Sequence, residues 1–466
     1  MATVYVSKSG NDSNNGTAGA PVLTLGKAFD LVRVASENGS QVIVQDNGVY
    51  QEAGLGSNVN NGGGNVVVND LIFMALTGSD GLPSVSPTVQ GSGSSIQSFA
   101  VYCDQNWTIK GITFKDFIIN NGNGVLTIRG IGAASDDGLK VELCTFHNIT
   151  GSCVYLDNGT DGNDPGYHIV NGNTFYNVNT GGSGSAGAVI QLTSTKDRKI
   201  KILNNVFYDW QPRGLADNLI QIGGAGNTKR PECIISHNTF GTSSVEAASA
   251  DIVIPHYAVE SQYAKFEYNI MTDQTNQYSF ADIANGEANY NIYSNLTSTS
   301  DATHAPFGAG TAPTGSTANL NADPILKGPF VGSDANYRLG GTTSPAFDAA
   351  IGSTGVSKDR TGRLRAILDE TALNTGIFDI GAFEATGLFS DESPDTLPQV
   401  SGDFTINRIP NADNQNKRGL QEGNSSVLGS DVDQVPFITA LNGAIPTLIR
   451  KRPSTYIQES GKKTKG

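Results

Sequence analysis

The chain reads as an all-β parallel solenoid with coils of about 30 residues, on three observations: a recurring strand phrase, corner-forming clusters between its copies, and a turn-rich composition. The phrase alternates apolar and polar residues, passes through Asn or Gly, and ends on Phe. Its copies are Ile109-Lys-Gly-Ile-Thr-Phe114, Val141-Glu-Leu-Cys-Thr-Phe146, Ile169-Val-Asn-Gly-Asn-Thr-Phe175, Ile200-Lys-Ile-Leu-Asn-Asn-Val-Phe207, Ile234-Ile-Ser-His-Asn-Thr-Phe240 and Phe266-Glu-Tyr-Asn-Ile-Met271. The final residues 114, 146, 175, 207, 240 and 271 are 32, 29, 32, 33 and 31 positions apart. Period-two alternation puts one face of each strand inward. Stacked coils then place equivalent residues above one another at about 4.8 Å. Phe114, Phe146, Phe175, Phe207 and Phe240 are therefore expected to form an interior aromatic stack. Asn173, Asn205, Asn238 and Asn269, each two positions earlier, are expected to form an amide ladder at a turn.

Between the phrases lie Asn120-Asn-Gly-Asn-Gly124, Thr180-Gly-Gly-Ser-Gly184 and Gly223-Gly-Ala-Gly226. Such clusters supply the left-handed conformations that turn a chain within one coil. A β-sandwich fits less well, because its turn signals recur about every 8–12 residues. Gly numbers 56 and charged residues are only 16% of the chain, which argues against a helical bundle. The net charge of −14 disfavours nucleic acid and anionic membranes as general partners. No window approaches 18 uninterrupted apolar residues, so no helical membrane span is expected.

Residues 1–40 read as a strand, a Gly/Asn loop and a capping helix. Leu25, Ala28, Phe29, Val32 and Ala35 share a helical face, with Thr24 as N-cap and Gly39 beyond the end. A first coil needs such a lid over its apolar interior and open strand edge. The β-helix is expected over 41–300, a closing segment over 301–385, and a linker with an attachment tail over 386–466. In the tail, Phe437 sits in an apolar cluster and Arg450, Lys451 and Arg452 open a basic end; these read as attachment residues. Cys103, Cys144, Cys153 and Cys233 show no CxxC spacing, so buried free thiols are expected rather than a zinc site.

Two stretches carry a family resemblance. Tyr5-Val-Ser-Lys-Ser-Gly10-Asn-Asp-Ser-Asn-Asn-Gly16-Thr, followed by Pro21 and Thr24, resembles the entry of right-handed parallel β-helix proteins of the pectate-lyase-like superfamily. Val42-Ile-Val44 and Gly48-Val-Tyr50-Gln-Glu52 are similar to their first coil. Asp323-Pro-Ile-Leu, Asn336-Tyr-Arg-Leu339, Ser344-Pro-Ala-Phe-Asp348, Asp359-Arg-Thr-Gly-Arg363 and Asp379-Ile-Gly-Ala-Phe-Glu384 resemble the terminal segment of secreted and phage β-helix proteins of this group. The resemblance implies a right-handed parallel β-helix. It says little about activity, because one fold hosts many functions.

Enzymes on this fold mostly cleave polysaccharides with outward carboxylates, as acid and base or as calcium ligands. Asp136 and Asp137 resemble the paired Asp of polygalacturonase-type glycosidases, but the accompanying His and Arg-x-Lys phrases are missing. Arg129 and Arg213 are candidate partners for such carboxylates. The run from Asp157 fails as a calcium loop, since His168 stands where Glu is needed. No metal site or cofactor is expected; calcium is compatible with the fold but has no motif here. His237, inside a repeat phrase, reads as a packed or surface coil residue. Tyr155, Tyr208 and Trp210 lie in or beside turns and are candidate sugar-stacking residues.

These readings favour a virion component: a phage tailspike, fibre or capsid-decoration protein, expected as a homotrimer that binds cell-surface polysaccharide and docks to other virion proteins through its tail. No leader pattern precedes the first strand. The alternatives are a polysaccharide lyase or glycoside hydrolase, and a bacterial surface adhesin.

Overall fold

The alternating phrases become parallel strands in direct register. A computed structural model describes residues 1–35, 37–56, 70–97, 99–103, 106–119, 123–129, 138–157, 167–179, 188–192, 199–211, 218–222, 232–241, 252–253, 264–272, 286–294, 320–327, 337–340, 343–347, 349–351, 359–361 and 377–383. The chain divides between Gly387 and Leu388, and all described residues belong to the first unit. Phe437, Arg450, Lys451 and Arg452 lie outside the described residues.

Three parallel sheets form a β-helix. The first sheet runs from Thr3–Val6 to Gly286–Asn289, the second from Val49–Tyr50 to Leu320–Asn321, and the third from Leu55–Gly56 to Ile252–Val253. Phe114, Phe146, Phe175, Phe207, Phe240 and Met271 are successive partners in the second sheet. The phenylalanine rings stack with centroids 5.2, 5.0, 4.8 and 5.0 Å apart. Coil length in residues is thereby set by strand register.

The corner between the first and second sheets takes two residues. Its first position has positive φ at Gly111, Leu143, Gly172, Asn204, His237, Tyr268 and Tyr290. A left-handed Leu, His or Tyr costs about 1–2 kcal/mol, so something must hold it. The second position does so. Asn205 Oδ1 accepts from the Asn173 N–H (2.9 Å) and Nδ2 (3.0 Å), and Asn205 Nδ2 donates to Val170 O and Asn238 Oδ1. The pattern repeats through Asn238 and Asn269 to Asn291, and Asn173 Oδ1 accepts from the Cys144 N–H. All five asparagines are buried.

The helix Leu25–Ala35 buries Leu25, Ala28, Phe29 and Val32 against the first coils. Ala35, expected on that face, is exposed at the helix end. Phe29 lies over Trp107 (6.0 Å) and edge-on to Phe73 (5.3 Å). Thr24 Oγ1 accepts from the Lys27 N–H, and the Glu52 carboxylate accepts from the N–H groups of Leu25 and Gly26 at 2.9 and 2.7 Å. The helix start is thus tied to the first coil.

Asp46 accepts from Ser7 Oγ, the Lys8 and Gly48 N–H groups and the Tyr50 hydroxyl. Burial pushes its pKa up, but these donors outweigh burial and hold the carboxyl below its ordinary range. With the folded value below the unfolded one, this stabilisation is present above the ordinary carboxylate pKa and is lost as pH falls through the folded value. The unfolding midpoint is therefore expected to drop below about pH 4, and Asp46→Asn to flatten that fall in an acid denaturation series.

All four cysteines are free and buried. Burial pushes the Cys144 thiol up to about 12 and that of Cys153 well above its ordinary value. Thiolate, the reactive form, is scarce in both. No thiol is expected to react with Ellman's reagent in the native protein, and all four after unfolding.

The closing segment does not only follow the last coil. After Leu320–Asn321 extends the second sheet, its described parts fold back along the outer flank of earlier coils. Ile270 and Ile292 pack with Leu339, Ala346 and Ile380, while Val206 and Tyr208 pack with Tyr337, Ala382 and Phe383. The Asp359-Arg-Thr phrase meets the Asp379-Ile-Gly-Ala-Phe phrase where the Arg360 N–H donates to Ala382 O. Phe383 lies under the guanidinium groups of Arg338 (5.3 Å) and Arg360 (6.0 Å), and Arg360 Nη1 donates to Asn173 O.

Candidate glycan-binding face

The outer face of the second sheet has a covered part and an open part, and the sequence marks the boundary. One outward column reads Thr88, Thr113, Thr145, Thr174, Val206, Thr239, Ile270, Ile292 and Leu320. It turns largely apolar where the closing segment packs. Thr239, still polar there, accepts the Ala382 N–H on its hydroxyl at 3.1 Å. Thr88, Thr113 and Thr145 remain partly exposed.

The neighbouring outward column is Gln90, Lys115, His147, Tyr176 and Tyr208. Its rings stack: His147 on Tyr176 at 4.7 Å, Tyr176 on Tyr208 at 5.1 Å, and Tyr208 on Tyr337 of the closing segment at 4.9 Å. Tyr176, between His147 and Tyr208, therefore offers a polar edge to solvent rather than a flat face, and His147 ends the stack next to Lys115. Burial lowers the His147 pKa and Lys115 adds to this, against the raising effects of Asn148 and Asp116. His147 is therefore neutral at pH 7.

A third column lies one residue further on, where Asp116, Asn148, Asn177 and Asp209 have φ of 58, 54, 48 and 50°. Each is an extra residue between an outward side chain and the next inward one, as a bulge. Asp and Asn tolerate this conformation better than other side chains. Asn148 Nδ2 donates to Asp116 Oδ1 (3.0 Å), Asn177 Nδ2 to Asn148 Oδ1 (2.6 Å), and Gln90 Nε2 to Asp116 Oδ2 (2.8 Å). The signal was present in the sequence as Phe-x-Asp or Phe-x-Asn in four consecutive phrases. It was hidden because Asp and Asn also form ordinary corners.

The bulge explains one correction. Trp210, expected at the surface, is only 1% exposed, because the extra residue Asp209 reverses the alternation and turns the indole inward. Tyr208 does point outward but is 3% exposed beneath Tyr337. Tyr155, in register with Thr127 and Gln191 of the third sheet, is 7% exposed. None of the three offers an open ring face. His237 is fully buried and stacks on Tyr268 at 5.0 Å. Asp136, Asp137 and Arg213 lie outside the described residues; Arg129 ends the strand Gly124–Arg129.

The open face can donate and accept hydrogen bonds at every rung. Asp116 and Asp209 are three rungs apart, about 14 Å, too far for either two-carboxylate glycosidase geometry. Among the described residues no three His, Cys, Asp or Glu side chains converge as for a metal ion.

Gly241 fixes the edge of the covered part. A Cβ there would lie 2.0 Å from Tyr337 Cε1. Gly241→Val is expected to push Tyr337 off Tyr208, cost about 2 kcal/mol, and speed proteolytic cleavage after residue 320.

No protein family matches the chain, and no curated protein matches it. Among solved structures, pectate lyase Pel9A is 14% identical with a TM-score of 0.37, covering 83% of this chain and 97% of its own. A rhamnogalacturonan lyase is 13% identical with a TM-score of 0.36, covering 70% and 90%. The GH136 lacto-N-biosidase from Eubacterium ramulus is 12% identical with a TM-score of 0.27, covering 63% and 64%. At these identities and TM-scores the likenesses carry no argument about activity. The fold rests on the strand register itself.

Proposed function

We propose that the chain is a glycan-recognising β-helix that holds an extended saccharide along the open part of the second sheet. The observation that carries this reading is the register of three polar columns. Thr113 and Thr145, Lys115, His147 and Tyr176, and Asp116, Asn148 and Asn177 repeat hydrogen-bonding groups at about 4.8 Å along a solvent-facing strip. A linear saccharide offers hydroxyls at a comparable repeat. In the fuller form of this reading the chain is a virion tailspike, fibre or decoration protein, acting as a homotrimer and attached through residues 386–466. What supports that form is the sequence: the closing motifs and the appended basic tail.

A second reading, a polysaccharide lyase, is favoured by one cluster. Lys115, Asp116 and neutral His147 adjoin one another, and a lyase needs a cation at the substrate carboxylate and a base for the adjacent carbon-bound proton. A glycan array followed by calorimetry separates these readings. Binding without product, abolished by Lys115→Glu with His147→Ala, supports recognition. Ultraviolet-absorbing unsaturated product supports the lyase. Unchanged binding by the double variant overturns the assignment to this face.

A further inference from the structure

We propose a second binding surface, on the outer face of the first sheet, for a linear polyanionic polysaccharide whose carboxylates fall on alternate sugar units. One outward column there runs Lys140, Ile169, Lys201, Ile234, Lys265. Lysines occupy every second rung and isoleucines the rungs between. Two rungs span about 9.6 Å, close to the advance of two pyranose units along an extended chain. A carboxylate on every second unit would therefore meet a lysine, while the sugar between lies over Ile169 or Ile234.

The surroundings fit the same ligand. Tyr167, two residues before Ile169 on the same face, has Lys201 Nζ 4.1 Å and Lys199 Nζ 5.7 Å from its ring centroid. That places a fourth cation, Lys199, beside the column. These side chains are all partly exposed. In the column on the other side, Glu142 and Glu267 are separated by Asn171, Leu203 and Ser236. The stretch flanking Ile169, Lys201 and Ile234 therefore carries no carboxylate on that side. Glu232 and Glu287 follow Lys199 and Lys265 in register, and Lys265 lies 3.6 Å from Glu267. Glu142 flanks Lys140 as Glu267 flanks Lys265, so the strip is most cationic around Lys199 and Lys201, in a chain whose net charge is −14. Lys110, near the strip, donates instead to Gly81 O.

The test is calorimetry of the full chain with three probes: hyaluronan oligosaccharide (a carboxylate per disaccharide), alginate (one on every unit) and neutral dextran. Hyaluronan is expected to bind, dextran not, and binding to weaken as salt rises from about 50 to 200 mM. Lys140→Gln and Lys201→Gln are each expected to weaken hyaluronan binding about fivefold. Lys27→Gln, on the capping helix and in neither strip, should leave it unchanged, and the two surfaces are told apart by their own variants, Lys140 and Lys201 here and Lys115 with His147 on the second sheet. Retained binding by both lysine variants, equal binding of dextran, or binding of alginate without hyaluronan overturns the proposal, as does no binding to any probe.

Discussion

Asn205→Ala is expected to lower unfolding free energy by about 3 kcal/mol. The substitution removes the acceptor for the Asn173 N–H and Nδ2 and the donors to Val170 O and Asn238 Oδ1. Asn173 Nδ2 keeps Val141 O, and Asn238 Oδ1 keeps the Asn205 N–H, so the principal orphan is one buried N–H. An unsatisfied buried donor costs about 1–3 kcal/mol, and each weakened neighbour adds roughly 0.5–1 kcal/mol. The control is Asn177→Ala, which breaks a ladder of the same chemistry on the exposed face. Water replaces the lost bond there, while alanine takes the left-handed φ of 48° less readily than Asn, so the cost is about 1 kcal/mol. The excess loss at Asn205 over that at Asn177 reports the effect of burial. Equal shifts would show that the inner ladder is not what holds the left-handed corner.

Phe175→Ala is expected to cost about 3–5 kcal/mol. Phe175 is 1% exposed and its ring lies between Phe146 at 5.0 Å and Phe207 at 4.8 Å. A cavity in the middle of a stack cannot close from either side, because strand register holds the neighbouring rings one rung away. Phe175→Leu keeps most of the volume and is expected to cost about 1.5 kcal/mol. Thermal unfolding of both variants checks the order. A small loss for alanine would mean that the coils slide to fill the gap.

The solenoid was legible because parallel register demands that like residues recur at coil spacing. The Phe stack and the rungs from Asn173 to Asn269 follow from that one requirement. Asn291 did not, because the step from Met271 to its partner Tyr293 shortens to 22 residues and breaks the period. Trp210 was misplaced for a different reason: a single left-handed Asp209 inverts every later side chain of its strand, and Asp reads equally well as a corner. The burial of Tyr208 depends on Tyr337, whose arrival no local pattern announces. The closing motifs were visible, but their folding back over Val206 and Ile270 is a long-range event. Its only local trace is the outward column changing from Thr88, Thr113, Thr145 and Thr174 to a mainly apolar run. The candidate face itself was legible only in part, since Tyr155, Tyr208 and Trp210 are buried while the Phe-x-Asp/Asn bulges set the geometry.

Amide hydrogen exchange with and without a bound oligosaccharide, taken from the glycan array, tests glycan recognition on the second sheet most directly. Added protection is expected in Thr113–Ile119, Thr145–Thr150 and Thr174–Asn179, fading where the closing segment begins to cover the sheet. A footprint confined to the third sheet, or none on the strands of the second, would contradict the account.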